Sequence, residues 1–242
     1  VGENKTYFAT IRLGASTITD DKESDVLEYG DENKIHALTE QLVEAALEGF
    51  RGSIMQVPSS VSAIKVDGER AYAKVRSGDE VKLKARPVEI TTFAMIDSPQ
   101  LVVESGKTYF DVDVKVDCSS GTYIRALARD LGEALGVGGH LTALRRTQIG
   151  NYTIEQAQQL EDLTPESLQV LDIAEAAKQQ FQVRHLSEQD VIDLRHGKRL
   201  KANGEGAEPF AGVDSNGKLI AMLTVSGKDV KSLVVFSEEV DK

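Results

Sequence analysis

The pattern of apolar and polar residues predicts strands and helices in turn along the first 150 residues. Tyr7–Gly14 begins with aromatic and β-branched side chains and ends at a glycine, which is typical of a strand. Apolar residues then recur at spacings of three and four over Ile35–Ala45, which predicts an amphipathic helix ending near Gly49. Within Tyr109–Asp117, apolar and charged residues alternate, as expected of an antiparallel strand with one face in solvent.

A long irregular segment precedes this strand, and a second helix follows it. Gln56–Arg86 has few periodic apolar residues, so we interpret it as an excursion from the core with a short helix near Ala71–Val75. After it, Val88–Phe93 is typical of a strand. Apolar positions 124, 127, 131 and 135 predict a helix that ends at Gly136, with a flexible connection over Val137–His140.

The last third of the chain predicts a smaller β-rich module. Ser187 is suited to cap a helix that ends at Gly197. Three short alternating runs follow, separated by turn sequences typical of hairpins: Phe210–Val213, Leu219–Val225 and Ser232–Phe236. Short strands this close together indicate a small barrel-like unit.

The distribution of charge permits a nucleic-acid partner without requiring one. A net charge of −11 argues against a polyanion, since RNA is bound mainly through Lys and Arg. Seven acids and one lysine fall within Asp20–Glu32, which we interpret as a solvated loop. Basic residues outnumber acids by seven to four in Lys65–Arg86 and by four to two in Ser119–Gly150.

Several kinds of site are missing from the sequence. It contains one cysteine, four histidines and none of the usual zinc, phosphate-loop, dinucleotide or serine-hydrolase motifs. Cys118 is expected to be a small buried hydrophobic residue, and His140, beside glycines, a solvent-exposed loop residue rather than a base. No apolar stretch approaches the ~20 residues that cross a bilayer. A lone cysteine fits a reducing compartment, so we expect a cytoplasmic protein with no membrane contact.

Arg125 stands out because it lies in the first turn of the predicted helix. The helix macrodipole favours acids there, so a guanidinium is placed against local preference. A carboxylate or phosphate partner would explain it, and an exposed arginine without a role is an equally good explanation. Arg129 follows four residues later and projects from the same face of the helix.

Four blocks of residues resemble the bacterial tRNA pseudouridine-55 synthase family, in the family's order, and cover most of residues 5–150. The blocks are Lys5–Tyr7 with Arg12–Gly14; Phe50–Gly52 with Gln56–Pro58; Ser62–Gly68 with Ala71–Tyr72, Arg76–Gly78 and Arg86–Val88; and Gly121–Gly132 with Gly139–Leu141 and Leu144–Arg146. One block alone would be a weak signal, whereas four in order are specific.

The resemblance implies an enzyme that converts the T-loop uridine of tRNA to pseudouridine without metal or cofactor. The uridine is flipped from its stack, and an aspartate nucleophile enables glycosidic cleavage, rotation of the base and reattachment through carbon. By resemblance the catalytic residues are Tyr7, which stacks on the base and could remove the proton at C5, and Arg125, which holds the nucleophile. The implied substrate-binding residues are Tyr123, Leu144, Lys65 and Arg146.

The resemblance also implies the fold class, an α+β protein. It combines the mixed, largely antiparallel sheet of the pseudouridine synthase catalytic core with a small C-terminal β-barrel-like, PUA-like RNA-binding domain. We expect the catalytic domain at 1–165, with an RNA-gripping insertion at about 56–86, a helical linker at 166–181 and the C-terminal domain at 182–242. Lys198, Arg199 and Lys201 are either phosphate contacts or a solvated basic turn.

Departures from the family pattern lead to further expectations. The family's nucleophile lies in a Gly-x-Leu-Asp-Pro-like motif before the first block, and the printed sequence has no such motif. We therefore expect an N-terminally truncated, inactive chain, in which Arg125 has no carboxylate to hold. Neither Asp117 nor Asp130 is expected to substitute. Val61 replaces an expected aromatic residue, which leaves one contact of the insertion open.

Two other functions stay open on the sequence alone. One is a non-catalytic protein that binds structured RNA. The other is an α+β protein with no RNA role, which the acidic pI near 4.9 favours. Under the leading interpretation the partner is the T-arm of tRNA, no protein partner is implied, and the full-length protein is a monomer.

Overall fold

The computed structural model describes residues 2–59 and 83–236, together with the backbone of 65–66 and 69–70. It divides the chain into two compact units, Val1–Ala157 and Gln158–Lys242. The expected domain end at residue 165 lies within the second unit, where Gln158 hydrogen bonds to Ser167 and Gln169. The short helix predicted near Ala71–Val75 lies outside the described residues.

The first unit is built on a seven-stranded antiparallel sheet. Its elements in chain order are β1 (Lys5–Leu13), β2 (Ala15–Thr17), β3 (Val26–Tyr29), α1 (Glu32–His36), α2 (Glu40–Glu48), β4 (Gly52–Gln56), β5 (Lys65–Val66), β6 (Glu69–Arg70), β7 (Arg86–Met95), β8 (Gln100–Glu104), β9 (Lys107–Cys118), α3 (Ile124–Leu135), β10 (Gly139–Ile149) and β11 (Tyr152–Thr153). The strand order is β11-β10-β1-β9-β7-β4, and β8 pairs with the first half of β9. β2 with β3, and β5 with β6, form separate two-stranded sheets.

The alternation predicted for the strand at 109–117 is confirmed in β9. Its apolar residues from Phe110 to Val116 are buried and pack with Ile11 and Leu13 of β1. On the opposite face its acids bond to β1, as in the hydrogen bond from Thr10 Oγ1 to Asp113. The charged face is thus partly used for cross-strand pairing, which fixes the register of the two central strands.

The helix predicted over residues 35–45 is in fact two helices, α1 and α2. Thr39 has an extended backbone (φ −131°), and its hydroxyl accepts a hydrogen bond from Leu42 N–H at 3.3 Å, so it caps α2. The break moves the apolar face to Val43 and Leu47, which are buried, whereas Leu42 is 51% exposed. The apolar spacing predicts the element type but not the break, because α1 ends at His36 and the Thr39 hydroxyl caps the start of a second helix.

The helix predicted at 124–135 is confirmed as α3 and ends at Gly136, whose φ of 68° is left-handed. It packs on β10 at a close crossing, since a Cβ on Gly132 would lie 2.2 Å from the carbonyl carbon of Gly138. The prediction of a flexible connection at 137–140 is wrong for its last two residues. Residues 139 and 140 already belong to β10 and pair with β1.

The second unit contains a five-stranded sheet and two helices. Its elements are α4 (Ile173–Gln180), β12 (Gln182–His185), α5 (Glu188–Arg195), β13 (Leu200–Lys201), β14 (Phe210–Val213), β15 (Leu219–Ser226) and β16 (Asp229–Val235). The strand order is β12-β14-β15-β16-β13, with β12 parallel to β14, and the sheet curls into a half-barrel. Ser187 caps α5 as predicted, and both predicted hairpins are present. The α+β fold class is confirmed.

Candidate active site

Arg125 forms an ion pair with Asp21 at the start of α3. Its Nε donates a hydrogen bond to Asp21 Oδ2 at 2.9 Å, and the two side chains are 34% and 14% exposed. A partly buried carboxylate explains why an arginine occupies a helix turn whose dipole disfavours it. The expectation that Arg125 lacks a carboxylate is therefore wrong.

Asp21 lies in residues 17–25, the last residue of β2 and the turn that leads to β3, which we call the aspartate loop. Thr17 Oγ1 accepts from the N–H of Asp21 and donates to its C=O, both at 2.9 Å. The N–H of Lys22 donates to Leu141 C=O at 2.8 Å, and Leu141 N–H donates to Asp20 C=O at 3.0 Å. Asp20 has a left-handed φ of 56°, a conformation that costs energy for most residues and that Asp tolerates. The loop is thus fixed both internally and to β10.

Arg129, one turn further along α3, forms a second ion pair with this loop. Its Nη1 lies 3.5 Å from Asp20 Oδ2. Its Nη2 lies 2.7 Å from Asp130 Oδ1 and donates to Val57 C=O at 2.8 Å. Burial raises the pKa of the Asp20 carboxyl, and the charge of Arg129 opposes that rise. The predicted solvated loop over Asp20–Glu32 is therefore wrong for its first two acids.

Gln56, at the end of β4, holds the first turn of α3. Its side chain accepts from Tyr123 N–H at 2.8 Å and donates to Tyr123 C=O at 3.1 Å. Tyr123 is the N-cap residue and makes no side-chain capping bond, so the buried Gln56 amide binds the helix end instead. Sequence reasoning missed this role, because nothing local relates Gln56 to a residue so far along the chain.

Three of the predicted site residues lie on the neighbouring strands β1 and β10. Tyr7 pairs with Arg146, and Ala9 pairs with Leu144. Directly opposite residues of an antiparallel pair share a face, so these side chains lie on the face that packs beneath α3. Tyr7 is partly buried against that core, whereas Leu144 is 45% exposed. A bulge just before Tyr7 is of the type that redirects side chains near active sites.

The first turn of α3 lies at the same end of the sheet as Tyr7. β9 ends at Cys118, which pairs with Lys5 two residues before Tyr7, and α3 begins after a short loop. This connection brings Tyr123 and Arg125 to that end. Of the predicted substrate-binding residues, Lys65 lies in β5, where only the backbone is described.

The other titratable candidates have structural contacts. The prediction that His140 is exposed is wrong: it is 5% exposed, and its Nδ1 lies 2.9 Å from Ala15 C=O. Burial lowers the pKa of His140. Asp117 accepts a hydrogen bond from Thr6 at 2.6 Å. Cys118 is buried, as predicted, and burial raises the pKa of its thiol.

The acids that sequence reasoning missed are Asp20 and Asp21. Asp21 is 104 positions from Arg125, so no local spacing rule relates them. Within residues 2–59 and 83–236, no cluster of three or more His, Cys, Asp or Glu residues could hold a metal ion. In the same described part, no helix has the length and apolarity needed to span a bilayer.

Comparison with protein families gives matches along almost the whole chain. Residues 1–124 match the family described as TruB family pseudouridylate synthase (N terminal domain). Residues 125–185 match the tRNA pseudouridylate synthase B C-terminal domain, and residues 181–237 match tRNA Pseudouridine synthase II, C terminal.

Two curated relatives carry the name tRNA pseudouridine synthase B. The protein from Arthrobacter sp. (strain FB24) is 51% identical over 245 residues, which span 98% of this chain and 78% of the relative. The protein from Paenarthrobacter aurescens (strain TC1) is 50% identical, over 98% of this chain and 76% of the relative.

Solved structures share the fold at lower identity. The structure titled "Crystal Structure of a Cbf5-Nop10-Gar1 Complex" matches with a TM-score of 0.60 and 20% identity, over 97% of this chain and 67% of that one. "Structure of H/ACA RNP bound to a substrate RNA containing 2'-deoxyuridine" matches with a TM-score of 0.62 and 18% identity, over 97% and 66%. With family matches to residue 237 and relatives at half identity, the chain belongs to the TruB family of pseudouridylate synthases, which are isomerases.

Proposed function

We propose that this protein converts the uridine at position 55, in the T-loop of tRNA, to pseudouridine without metal or cofactor. The names of the two relatives support tRNA as the substrate. The observation that carries the proposal is the Arg125–Asp21 ion pair in the first turn of α3, at the same end of the sheet as Tyr7.

Arg125 has donors left for a second carboxylate. Among the described residues, only Asp21 forms a hydrogen bond or ion pair with its guanidinium, through Nε. A guanidinium presents five N–H donors in a fixed fork, so its terminal nitrogens can bind the nucleophilic aspartate that the family reaction uses. Asp21 then fixes the orientation of the Arg125 guanidinium plane, and this orientation fixes the position of the nucleophilic carboxylate. Arg125 acts as a positioning residue.

The uridine pocket is formed by side chains of suitable chemistry. Tyr7 offers an aromatic face to the flipped base and a hydroxyl for proton removal at C5. Tyr123 and Leu144 form walls, and the exposed Arg146, which pairs with Tyr7, contacts a phosphate. Stacking on Tyr7 offsets part of the unstacking energy of the base, which is on the order of a few kcal/mol.

RNA affinity comes from the insertion at about 56–86, including Lys65, and from the second unit. There Lys198 and Lys201 keep 63% and 84% of their side-chain surface exposed although each pairs with an acid. Exposed lysines on flexible stems suit phosphate contacts that need no fixed geometry. We further propose that the protein acts in the cytoplasm as a monomer without a protein partner. Sedimentation of the purified protein with and without tRNA would test whether it is a monomer.

The test of the proposed function is tritium release from T-arm RNA that carries 5-tritiated uridine. The C5–H bond must break when C5 becomes bonded to the ribose, so the complete gene product that contains this chain should release tritium. A well-folded complete gene product that releases none would overturn the proposal. We expect the 242-residue chain alone to release none, because it has no Gly-x-Leu-Asp-Pro-like motif. Release by that chain would assign the nucleophile to another residue.

A second candidate function is binding of structured RNA without catalysis, which the exposed lysines of the second unit favour. The two candidates share the same affinity for RNA and differ only in chemistry. Binding that weakens as salt rises, with no tritium release by the complete gene product, would support this second function.

A further inference from the structure

We infer that Asp20 and Arg129 form a positioning pair, which holds the aspartate loop and the start of the insertion against α3 and thereby fixes the Arg125–Asp21 pair. The inference rests on the proposed function, because it assigns these two residues a part in the same reaction. Neither has a role in the chemistry described above.

The geometry of the two ion pairs carries the inference. Two consecutive aspartates of one loop contact two arginines that are one turn apart on one helix. Backbone bonds fix the loop to β10, and the Asp21–Arg125 contact alone would attach it to α3 at a single point. The Asp20–Arg129 contact attaches it at a second point, so the position of the loop relative to α3, and with it the orientation of the Arg125 plane, depends on both pairs.

Arg129 also connects the aspartate loop to the segment that enters the insertion. It donates to Val57 C=O at 2.8 Å, and Ser59, two residues on, is buried and donates to Thr19 C=O at 3.4 Å. Val57 lies at the start of the insertion at about 56–86. One guanidinium thus joins the helix, the aspartate loop and the base of the segment proposed to grip RNA.

The burial of the pair argues that its geometry is fixed. The side chains of Asp20 and Arg129 are 11% and 22% exposed. Charges with so little solvent require partners, and removing one partner leaves the other uncompensated. Asp130 holds the second terminal nitrogen of Arg129 at 2.7 Å, which sets the plane of the guanidinium that faces Asp20. An exposed pair would move freely and could not position the loop.

The first experiment measures hydrogen exchange in the complete gene product and does not depend on activity. In Arg129→Ala, the amides of Asp21 and Lys22, which are bonded to Thr17 and Leu141, should exchange at least about tenfold faster. The matched control is Arg51→Ala, because Arg51 likewise joins a carboxylate, Glu44, to a backbone carbonyl, that of Phe93. Equal protection of these two amides in Arg129→Ala and wild type would overturn the inference.

The second experiment measures single-turnover tritium release and T-arm RNA affinity for the same variants. Arg129→Ala and Asp20→Asn should slow release about tenfold with little change in affinity, Arg129→Lys should recover part of the rate, and Arg51→Ala should match wild type. When Asp21 is already replaced by Asn, adding Arg129→Ala should slow tritium release by less than about threefold. The reason is that Arg129 acts through the Arg125–Asp21 pair, which Asp21→Asn has already weakened.

The outcomes separate this inference from the proposed function. If wild type releases no tritium, the proposed function fails, and the exchange experiment still decides whether Arg129 fixes the loop. If wild type is active and Arg129→Ala lowers only the melting temperature, as a purely structural pair would, the inference is wrong. The inference would also be wrong if the losses of tritium-release rate in Arg129→Ala and Asp21→Asn multiply in the double variant.

Discussion

Two groups of basic residues show what burial does to the same kind of ion pair. In the ion pair on α3, the side chains of Arg125 and Asp21 are 34% and 14% exposed. In the second unit, those of Lys201 and Asp229 are 84% and 32% exposed. Both contacts are short, at 2.9 and 2.8 Å, so distance alone does not distinguish them.

The difference lies in how far solvent screens each pair. An exposed pair contributes little to stability and exchanges readily with salt ions, so its lysine is available to an RNA phosphate. A shielded arginine with a fixed fork keeps one orientation and can hold a second group in place. We therefore propose that the arginines of α3 set the geometry of the active site, whereas the lysines of the second unit contribute to the affinity for RNA.

Arg125→Ala gives the largest expected effect. Tritium release by the complete gene product should fall by more than about 100-fold, while affinity for T-arm RNA changes little. Arg125→Lys should recover little of the rate, because a point charge cannot reproduce the planar fork. A loss smaller than about tenfold, or ~1.4 kcal/mol, would contradict the assignment of Arg125.

Asp21→Asn should have the next largest effect. The variant keeps the size of the side chain and a carbonyl acceptor but loses the charge. A hydrogen bond to a charged group contributes about 1.5–3 kcal/mol, so single-turnover release should slow about 10- to 100-fold. The matched control is Asp193→Asn, which removes the charge that pairs with the exposed Lys198 and should leave the rate unchanged. If Asp21→Asn and Asp193→Asn release tritium at equal rates, the ion pair on α3 has no larger role in the reaction than the exposed pair of the second unit.

Acid should destabilise the first unit through His140. Burial lowers its pKa, so the folded protein keeps it neutral while the unfolded chain binds a proton below pH ~6.5. The free energy of unfolding should therefore fall as pH drops from about 6.5 towards the lowered folded pKa, by up to ~1.4 kcal/mol per pH unit. Denaturant unfolding of His140→Gln should lack this part of the pH dependence. An unchanged slope in that variant would show that folding does not lower the pKa of His140.

The double variant Lys198→Ala/Lys201→Ala should have the smallest effect. Affinity for T-arm RNA should fall modestly, and the dependence of log affinity on log salt should become shallower by about one for each lysine that contacts a phosphate. Single-turnover release from saturated enzyme should not change. An unchanged salt dependence would show that Lys198 and Lys201 belong to a solvated turn and contact no phosphate.

The sequence predicts the elements of the fold well where a short-range pattern decides them. The period of two in β9 and the apolar face of α3 with Gly136 at its end are both seen in the structure. The apolar spacing does not predict the break between α1 and α2, because it continues across Thr39, whose hydroxyl caps the start of a second helix.

The site is predictable only in part, because its contacts join distant segments. The unusual position of Arg125 in the first turn of α3 correctly indicates an anionic partner. The partner lies in a run of acids that local charge counting assigns to solvent. Contacts between distant segments, such as the bridge between Asp21 and Leu141 of β10, bring it next to α3. The burial of His140 is not predictable from the sequence for the same reason, because the glycines beside it pack closely against α3 instead of forming a loop.

The most direct test of the account is a double-mutant cycle on Asp21 and Arg125, measured as single-turnover tritium release by the complete gene product. If Asp21 acts by orienting Arg125, the variant carrying both Asp21→Asn and Arg125→Ala should be no slower than Arg125→Ala alone. If the two losses multiply instead, Asp21 contributes independently of Arg125, and the account of the site is wrong.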